Sequence, residues 1–256
     1  MGTAQCKTFF ESPFLCDAEN SNTARNHGLQ AKRKNMNTEE QNATVHISFK
    51  DVILEGFLNI PANPKGLVLF SHGSGSSRLS PRNNYVSNIL QQKGIATLLF
   101  DLLTESEDKI YKNRFDIDKL AHRLIETTQW AQQHQRVKGL PLGYFGASTG
   151  AASALRAAAF FGTAIKAVVS RGGRPDLAMD ELSEVKASTL FIVGSRDTDV
   201  ISMNQRAYEK LECRKKLEII PGAGHLFEEP GKLRAVAEIS ATWFLRWLEK
   251  NPENYV

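Results

Sequence analysis

The chain has 256 residues, 41% of them hydrophobic, and carries 32 Lys and Arg against 28 Asp and Glu for a formal charge of +4. That length holds one α/β domain with a large core and is short for two full domains. The basic residues are scattered, which gives no support to nucleic acid or a membrane surface as partner and leaves a small-molecule substrate as the expected one, with the oligomeric state open. Three cysteines, Cys6, Cys16 and Cys213, are an odd number without zinc-ligand spacing. Neither a disulfide framework nor a metal site is expected from them, and they fit a reducing cytoplasm. No apolar run approaches the roughly eighteen residues of a membrane span, and the N-terminus lacks the basic region and apolar core of a signal peptide. Met1-Gly2 invites a myristoylation reading, but Cys6 stands where that pattern wants Ser or Thr.

Residues 1–42 are polar, with one apolar patch around Phe9, Phe10, Phe14 and Leu15, and show no lasting periodicity. They are expected to be a disordered tail ahead of a folded domain at 43–250, with Met36 a candidate natural start. Lys32-Arg33-Lys34 reads as solvated tail rather than as a targeting signal. From Ala43 the texture changes. Val45, Ile47 and Phe49 alternate with polar residues, and Val52, Leu54, Phe57, Leu58 and Ile60 follow across Lys50-Asp51, as in an antiparallel hairpin. Leu67 to Phe70 is a continuous apolar run suited to a buried parallel strand, and it ends in Ser71-His72-Gly73-Ser74-Gly75.

Ser80-Pro81 predicts a helix start, with Tyr85, Val86, Ile89 and Leu90 on one face and Gly94 as the stop. A strand over 95–100 ends at Asp101. Ile117, Leu120, Ala121, Leu124, Ile125 and Thr128 recur at spacings of three and four and predict an amphipathic helix. Next comes an apolar strand with Leu142, Tyr144 and Phe145, running through Gly146-Ala147-Ser148-Thr149-Gly150 into an alanine-rich helix. Strands follow at Ala167-Val168-Val169, at 189–193 and at 217–220, with a helix over 202–211. A last helix places Leu233, Val236, Ala237, Phe244, Trp247 and Leu248 on one face. Strands alternating with helices imply an α/β fold: a mostly parallel eight-stranded sheet, helices on both faces, strand tips along one edge. The stretch 172–187 is too short for a large helical lid.

The polar residues collect at the strand tips, where ligands bind in such sheets. Gly-x-Ser-x-Gly between a strand and a helix is the pattern of a nucleophile elbow, although glycine-rich turns after strands are common enough that the pentapeptide alone is weak evidence. The chain order Ser148, Asp197, His225 strengthens it. A serine hydroxyl needs an imidazole to take its proton, and the imidazole needs a carboxylate to fix its tautomer. Asp197 and Asp199 both stand near the seventh strand's tip, Asp197 the closer. An oxyanion needs preorganised donors, for which the Thr149 and Ser74 amides are the candidates. His72 reads as a brace for that loop, while His27, His46, His122 and His134 look incidental and Cys213 lacks any partner motif. His225 could be a core histidine, but its glycine-rich flanks argue against that.

On HGSGSS, GYFGASTG, VGSRDTDV and PGAGHLF, over residues 43–249, the chain resembles the α/β-hydrolase superfamily and within it the dienelactone hydrolase-like family. The resemblance implies Ser148 as nucleophile, Asp197 as acid, His225 as base, and the Ser74 and Thr149 amides as the oxyanion hole, with no cofactor. Dienelactone hydrolases proper carry cysteine in the elbow, so the serine here points to a serine hydrolase of esters, lactones or thioesters rather than of dienelactone itself. A non-catalytic binding protein and a peptidase on the same scaffold are the alternatives. Some members are joined to a phosphoribosyltransferase domain, whose paired-acidic, Thr-Gly pattern is not found here, so that activity is not expected. Arg171 and Arg174 flank a Gly-Gly turn and Arg78 follows the oxyanion loop. These three guanidiniums could bind a substrate carboxylate, or else pair with Asp176 or Asp101 to hold their loops.

Overall fold

The computed structural model describes residues 41–49 and 52–248. The tail called at 1–42 thus lies outside the described residues except for its last two, together with Cys6, Cys16, His27 and Met36. The first strand, β1 (Gln41–Phe49), pairs antiparallel with β2 (Val52–Ile60), and β2 pairs antiparallel with β4 (Ala96–Phe100). β3 (Leu67–Ser71), β5 (Leu142–Ala147), β6 (Ile165–Arg171), β7 (Ser188–Gly194) and β8 (Lys215–Ile220) complete one eight-stranded sheet in the order β1-β2-β4-β3-β5-β6-β7-β8. All pairings from β4 onward are parallel. The expected fold class is what the structure shows.

The central strands are buried on both faces, which is why β3, β4 and β5 read as unbroken apolar runs. On one face, α1 (Pro81–Gln92) packs with the C-terminal helix over Phe70, Phe145, Val169 and Ile192. On the other, α3 (Ile117–Gln133), α4 (Thr149–Phe161) and α5 (Thr198–Lys210) cover Leu69, Tyr144, Val168 and Phe191; the four-residue α2 (Glu105–Asp108) precedes α3, and α6 (Lys232–Leu248) ends the described chain. Alanines at 151, 152, 154, 157 and 158 are fully buried and let α4 lie close against the sheet.

Two details differ from the pattern reading. Tyr85 is exposed, because α1 turns Asn83, Val86, Ser87 and Leu90 inward instead. The helix α5 starts at Thr198 rather than Ser202, with Asp197 immediately before it. A polar first turn hid that start, since Asp199 and Thr198 carry no apolar periodicity. Residues 175–184 form 3₁₀ turns packed beside α4 and α5, and no large lid stands over the sheet edge. Among the described residues no helix is long and apolar enough to cross a membrane.

Candidate active site

Ser148 joins β5 to α4 with φ 52° and ψ −123°, a conformation that a side chain rarely adopts and that stores about 1–3 kcal/mol. Two glycines make the turn possible. A Cβ on Gly146 would lie 2.5 Å from Ala151 Cα, and one on Gly150 would lie 2.2 Å from the Ser71 carbonyl oxygen. Backbone bonds lock the strained residue in place: the Ser148 N–H donates to the Arg171 carbonyl at 3.2 Å, and the Arg174 N–H donates to the Ser148 carbonyl at 3.0 Å. Asn204, fully buried on α5, donates to the Gly173 carbonyl at 3.0 Å and so fixes the loop that makes those bonds. Nothing in the sequence marked Asn204, a single polar residue on an otherwise ordinary helix.

Asp197 and His225 meet from two neighbouring strand tips. Asp197 Oδ2 accepts from His225 Nδ1 at 2.6 Å, which leaves Nε2 as the free, basic nitrogen. Asp199 is exposed on the first turn of α5, so the carboxylate facing the imidazole is Asp197. The loops carrying the pair are stitched together: the Gly222 N–H donates to Ser195 Oγ at 2.7 Å, the Arg196 N–H to the Ala223 carbonyl at 2.9 Å, and the Gly224 N–H to Glu229 Oε1 at 2.9 Å. Buried Phe227 holds a left-handed φ of 57° just beyond the histidine. The imidazole lies against Gly172, where a Cβ would stand 3.5 Å from its Cε1 and Nδ1. Gly172 adjoins Arg171, whose carbonyl binds Ser148, so the serine and the histidine flank one point on the sheet edge. No hydrogen bond joins Ser148 Oγ to His225 among the described residues, a looseness common before substrate binds.

The β3 loop closes over the elbow from the other side. A Cβ on Gly73 would be 3.1 Å from Ser148 Cβ, so the loop approaches the serine closely at this glycine. His72 is the brace its position suggested. Its Nδ1 donates to the Gly73 carbonyl at 3.0 Å and its Nε2 accepts from the Leu102 N–H at 3.0 Å, which uses both nitrogens of the neutral ring; burial pushes its pKa below the ordinary 6.5. The Thr149 amide opens α4 and has no partner among the described residues. The Ser74 amide does: it donates to Thr149 Oγ1 at 2.9 Å, so the second expected oxyanion donor is directed at a side chain.

The three arginines separate cleanly. Arg78 pairs with both Asp101 and Glu55, and its own N–H donates to Asp101 Oδ1 at 2.7 Å. It lines a cavity of about 470 Å³ with Glu55, His72, Asp101 and Asp108, which none of Ser148, Thr149 and His225 lines. Arg174 is bidentate to Asp176 at 2.9 and 2.8 Å. The reading of these two as substrate ligands therefore gives way to loop-holding, because each guanidinium already has its carboxylate. Arg171 is different. It is 5% exposed, its Nε is buried without a hydrogen-bond partner, and among the described residues no carboxylate faces it. Its guanidinium lies 5.9 Å from the Phe227 ring, and burial, with Arg82 nearby, lowers its pKa to about 10, which still leaves it cationic at neutral pH. Cys213, half-buried with its thiol pKa raised by burial, lies beyond β7 and α5 and takes no part. Among the described residues no cluster of three or more His, Cys, Asp or Glu is arranged to hold a metal ion.

With fold and site in place, comparison with known proteins is informative. The profile of the dienelactone hydrolase family matches residues 54–249. The crystal structure of a dienelactone hydrolase from Anabaena variabilis is 53% identical and superposes with a TM-score of 0.80, covering 82% of this chain and 99% of that one. An esterase of Pyrococcus furiosus, 20% identical with a TM-score of 0.65 over 81% of this chain and 93% of its own, shares the fold. The chain is an α/β-hydrolase and belongs to the dienelactone hydrolase family. It is also 53% identical over 194 residues to a protein of two Mycobacterium tuberculosis strains named putative phosphoribosyl transferase, a match that covers 76% of this chain but only 44% of those relatives.

Proposed function

We propose that this hydrolase cleaves small carboxylic esters, lactones or thioesters through a Ser148 acyl-enzyme. The observation that carries the reading is the 2.6 Å contact between Asp197 Oδ2 and His225 Nδ1 beside a serine held at φ 52°. In that arrangement His225 Nε2 takes the Ser148 proton as Oγ attacks the carbonyl carbon, and Asp197 stabilises the imidazolium that forms. The tetrahedral oxyanion forms beside the Thr149 N–H at the positive end of α4. Collapse expels the alcohol, thiol or ring oxygen, which takes the proton back from His225. Water activated by the same nitrogen then releases the acid.

Arg171 gives this site a preference. A guanidinium buried without a counter-ion is costly, and a carboxylate on the substrate would supply one. Small anionic esters or lactones are therefore the proposed substrates, and the short 172–187 connection, which forms no large cap, leaves an open site suited to compact ones. The match to part of a putative phosphoribosyl transferase lends no residue of this site to phosphoribosyl transfer, which is not proposed. The test is labelling with a fluorophosphonate followed by mass mapping. The adduct is expected on Ser148 in the wild type and lost in Ser148→Ala; an unlabelled wild type, or a label elsewhere, overturns the assignment.

A further inference from the structure

A threonine hydroxyl has one proton to give and two lone pairs to receive with. Thr149 Oγ1 receives the Ser74 N–H at 2.9 Å, which uses one lone pair and orients the group. Its own proton meets no acceptor among the described residues, and Thr149 is only 4% exposed, so bulk water does little to satisfy it. The residue follows Ser148 directly and opens α4, so its amide stands at the elbow, and the bond from Ser74 sets its hydroxyl against the β3 loop that meets the elbow there. The β3 loop is tied in place beside Thr149 by the Leu102 N–H, which donates to His72 Nε2 at 3.0 Å.

Resting on the Ser148 reading above, we propose that the Thr149 hydroxyl is itself the second oxyanion donor, with the Ser74 amide behind it as the group that polarises it. The hole would then consist of one residue's N–H and O–H in place of two amides from two loops. A hydroxyl that accepts a hydrogen bond becomes a better donor, so the Ser74 amide still acts on the oxyanion, one bond removed. No covalent change at Thr149 is involved: the proton stays on Oγ1 and the negative charge on the substrate oxygen is stabilised in place.

Thr149→Val keeps the shape and removes the hydroxyl, and Thr149→Ser keeps the hydroxyl. With p-nitrophenyl acetate, Val at this position should lower kcat by about 10²-fold, the usual loss for one oxyanion donor, with KM little changed. Ser should restore most of it. Affinity for a trifluoromethyl ketone, which forms the tetrahedral adduct, should fall in Val in step with kcat/KM. A merely structural clamp predicts otherwise: removing it frees the Ser74 amide for the substrate, so kcat holds or rises. Unchanged kcat in Val, a loss confined to KM, or an equal loss in Ser overturns the proposal. If Val fails to fold by circular dichroism, Thr149→Ala carries the same comparison. Fluorophosphonate labelling of Ser148 in the wild type separates the two levels: a labelled enzyme with a fully active Val variant sinks the hydroxyl alone, and an unlabelled enzyme sinks the nucleophile and the hydroxyl together.

Discussion

The two halves of the site are held by different physics. Around the elbow, position comes from exclusion: Gly146 and Gly150 lie where any Cβ would press on backbone, Gly73 approaches Ser148 closely, and Ser148 is held by surroundings that leave it little room. Around Asp197 and His225, position comes mainly from directed bonds, with Ser195 and the pair itself making contacts of 2.7 and 2.6 Å between two loops and Glu229 bracing the second loop from within at 2.9 Å. Gly194 is the point of overlap, since a Cβ there would meet the Ala223 carbonyl at 2.3 Å. Packing is intolerant and all-or-none, whereas a hydrogen bond can be removed singly. The two halves should therefore fail differently when broken.

The largest effect is expected on the bonded side. Asp197→Asn should lower kcat/KM by about 10³–10⁴-fold with the fold intact, because an amide cannot hold the imidazole in its working tautomer. Asp199→Asn, on an exposed turn, should stay near wild type in the same ester assay; equal losses would return the acid role to an open question. On the packed side, Gly150→Ala should act through stability, lowering it by about 2–4 kcal/mol in urea unfolding as the new methyl displaces the Ser71 carbonyl. A stable but inactive Gly150→Ala would blur the contrast.

Arg171 sharpens it further, because it is a bonding group with nothing bound. Arg171→Gln should reduce the preference for a carboxylate-bearing ester over its neutral analogue by roughly 10-fold or more, consistent with a charge-assisted hydrogen bond of about 1.5–3 kcal/mol. A preference that Arg171→Gln leaves untouched, or no preference in the wild type, removes the anion from the proposal. The smallest effect concerns His72. Its folded pKa is depressed, so below pH 6.5 the unfolded chain takes up a proton that the folded chain refuses. Its contribution is complete above that pH and is lost as pH falls through it. The stability gap between wild type and His72→Asn, about 1–2 kcal/mol at pH 7.5 by urea midpoint, should narrow at pH 5; a constant gap contradicts the neutral brace.

These contrasts also explain what could be read before the structure. Steric necessity leaves glycines at fixed spacing, so the elbow at Gly146-Ala147-Ser148-Thr149-Gly150 was legible, and the strand tips followed from apolar runs. Bonding partners leave weaker traces. Asp197 was separable from Asp199 only by its distance from β7. Asp176 and Asp101 were visible as possible partners of these guanidiniums, but nothing in the chain order said that Arg171 would be the one left without a carboxylate among the described residues, or that Glu55 would reach Arg78 from β2. The engagement of the Ser74 amide by Thr149 was invisible for the same reason: it joins residues 75 positions apart through a single side-chain atom.

The bonds between the β7 and β8 loops have a consequence for how the site breathes. Because Gly222 is tied to Ser195 and Arg196 to Ala223, Asp197 and His225 ride on one fragment, while Ser148 stands at the end of the central strand β5. Thermal excursions of this edge should then lengthen the gap between Ser148 and His225 and leave the Asp197 to His225 contact whole. Under the proposed mechanism, readiness becomes a one-coordinate property, the docking of a preassembled Asp197–His225 pair onto Ser148. Amide hydrogen exchange offers a direct view of it: Arg196 and Gly222 should exchange at a common rate, set apart from the slower amides of β5, and unrelated rates at those two positions would show that the loops open independently.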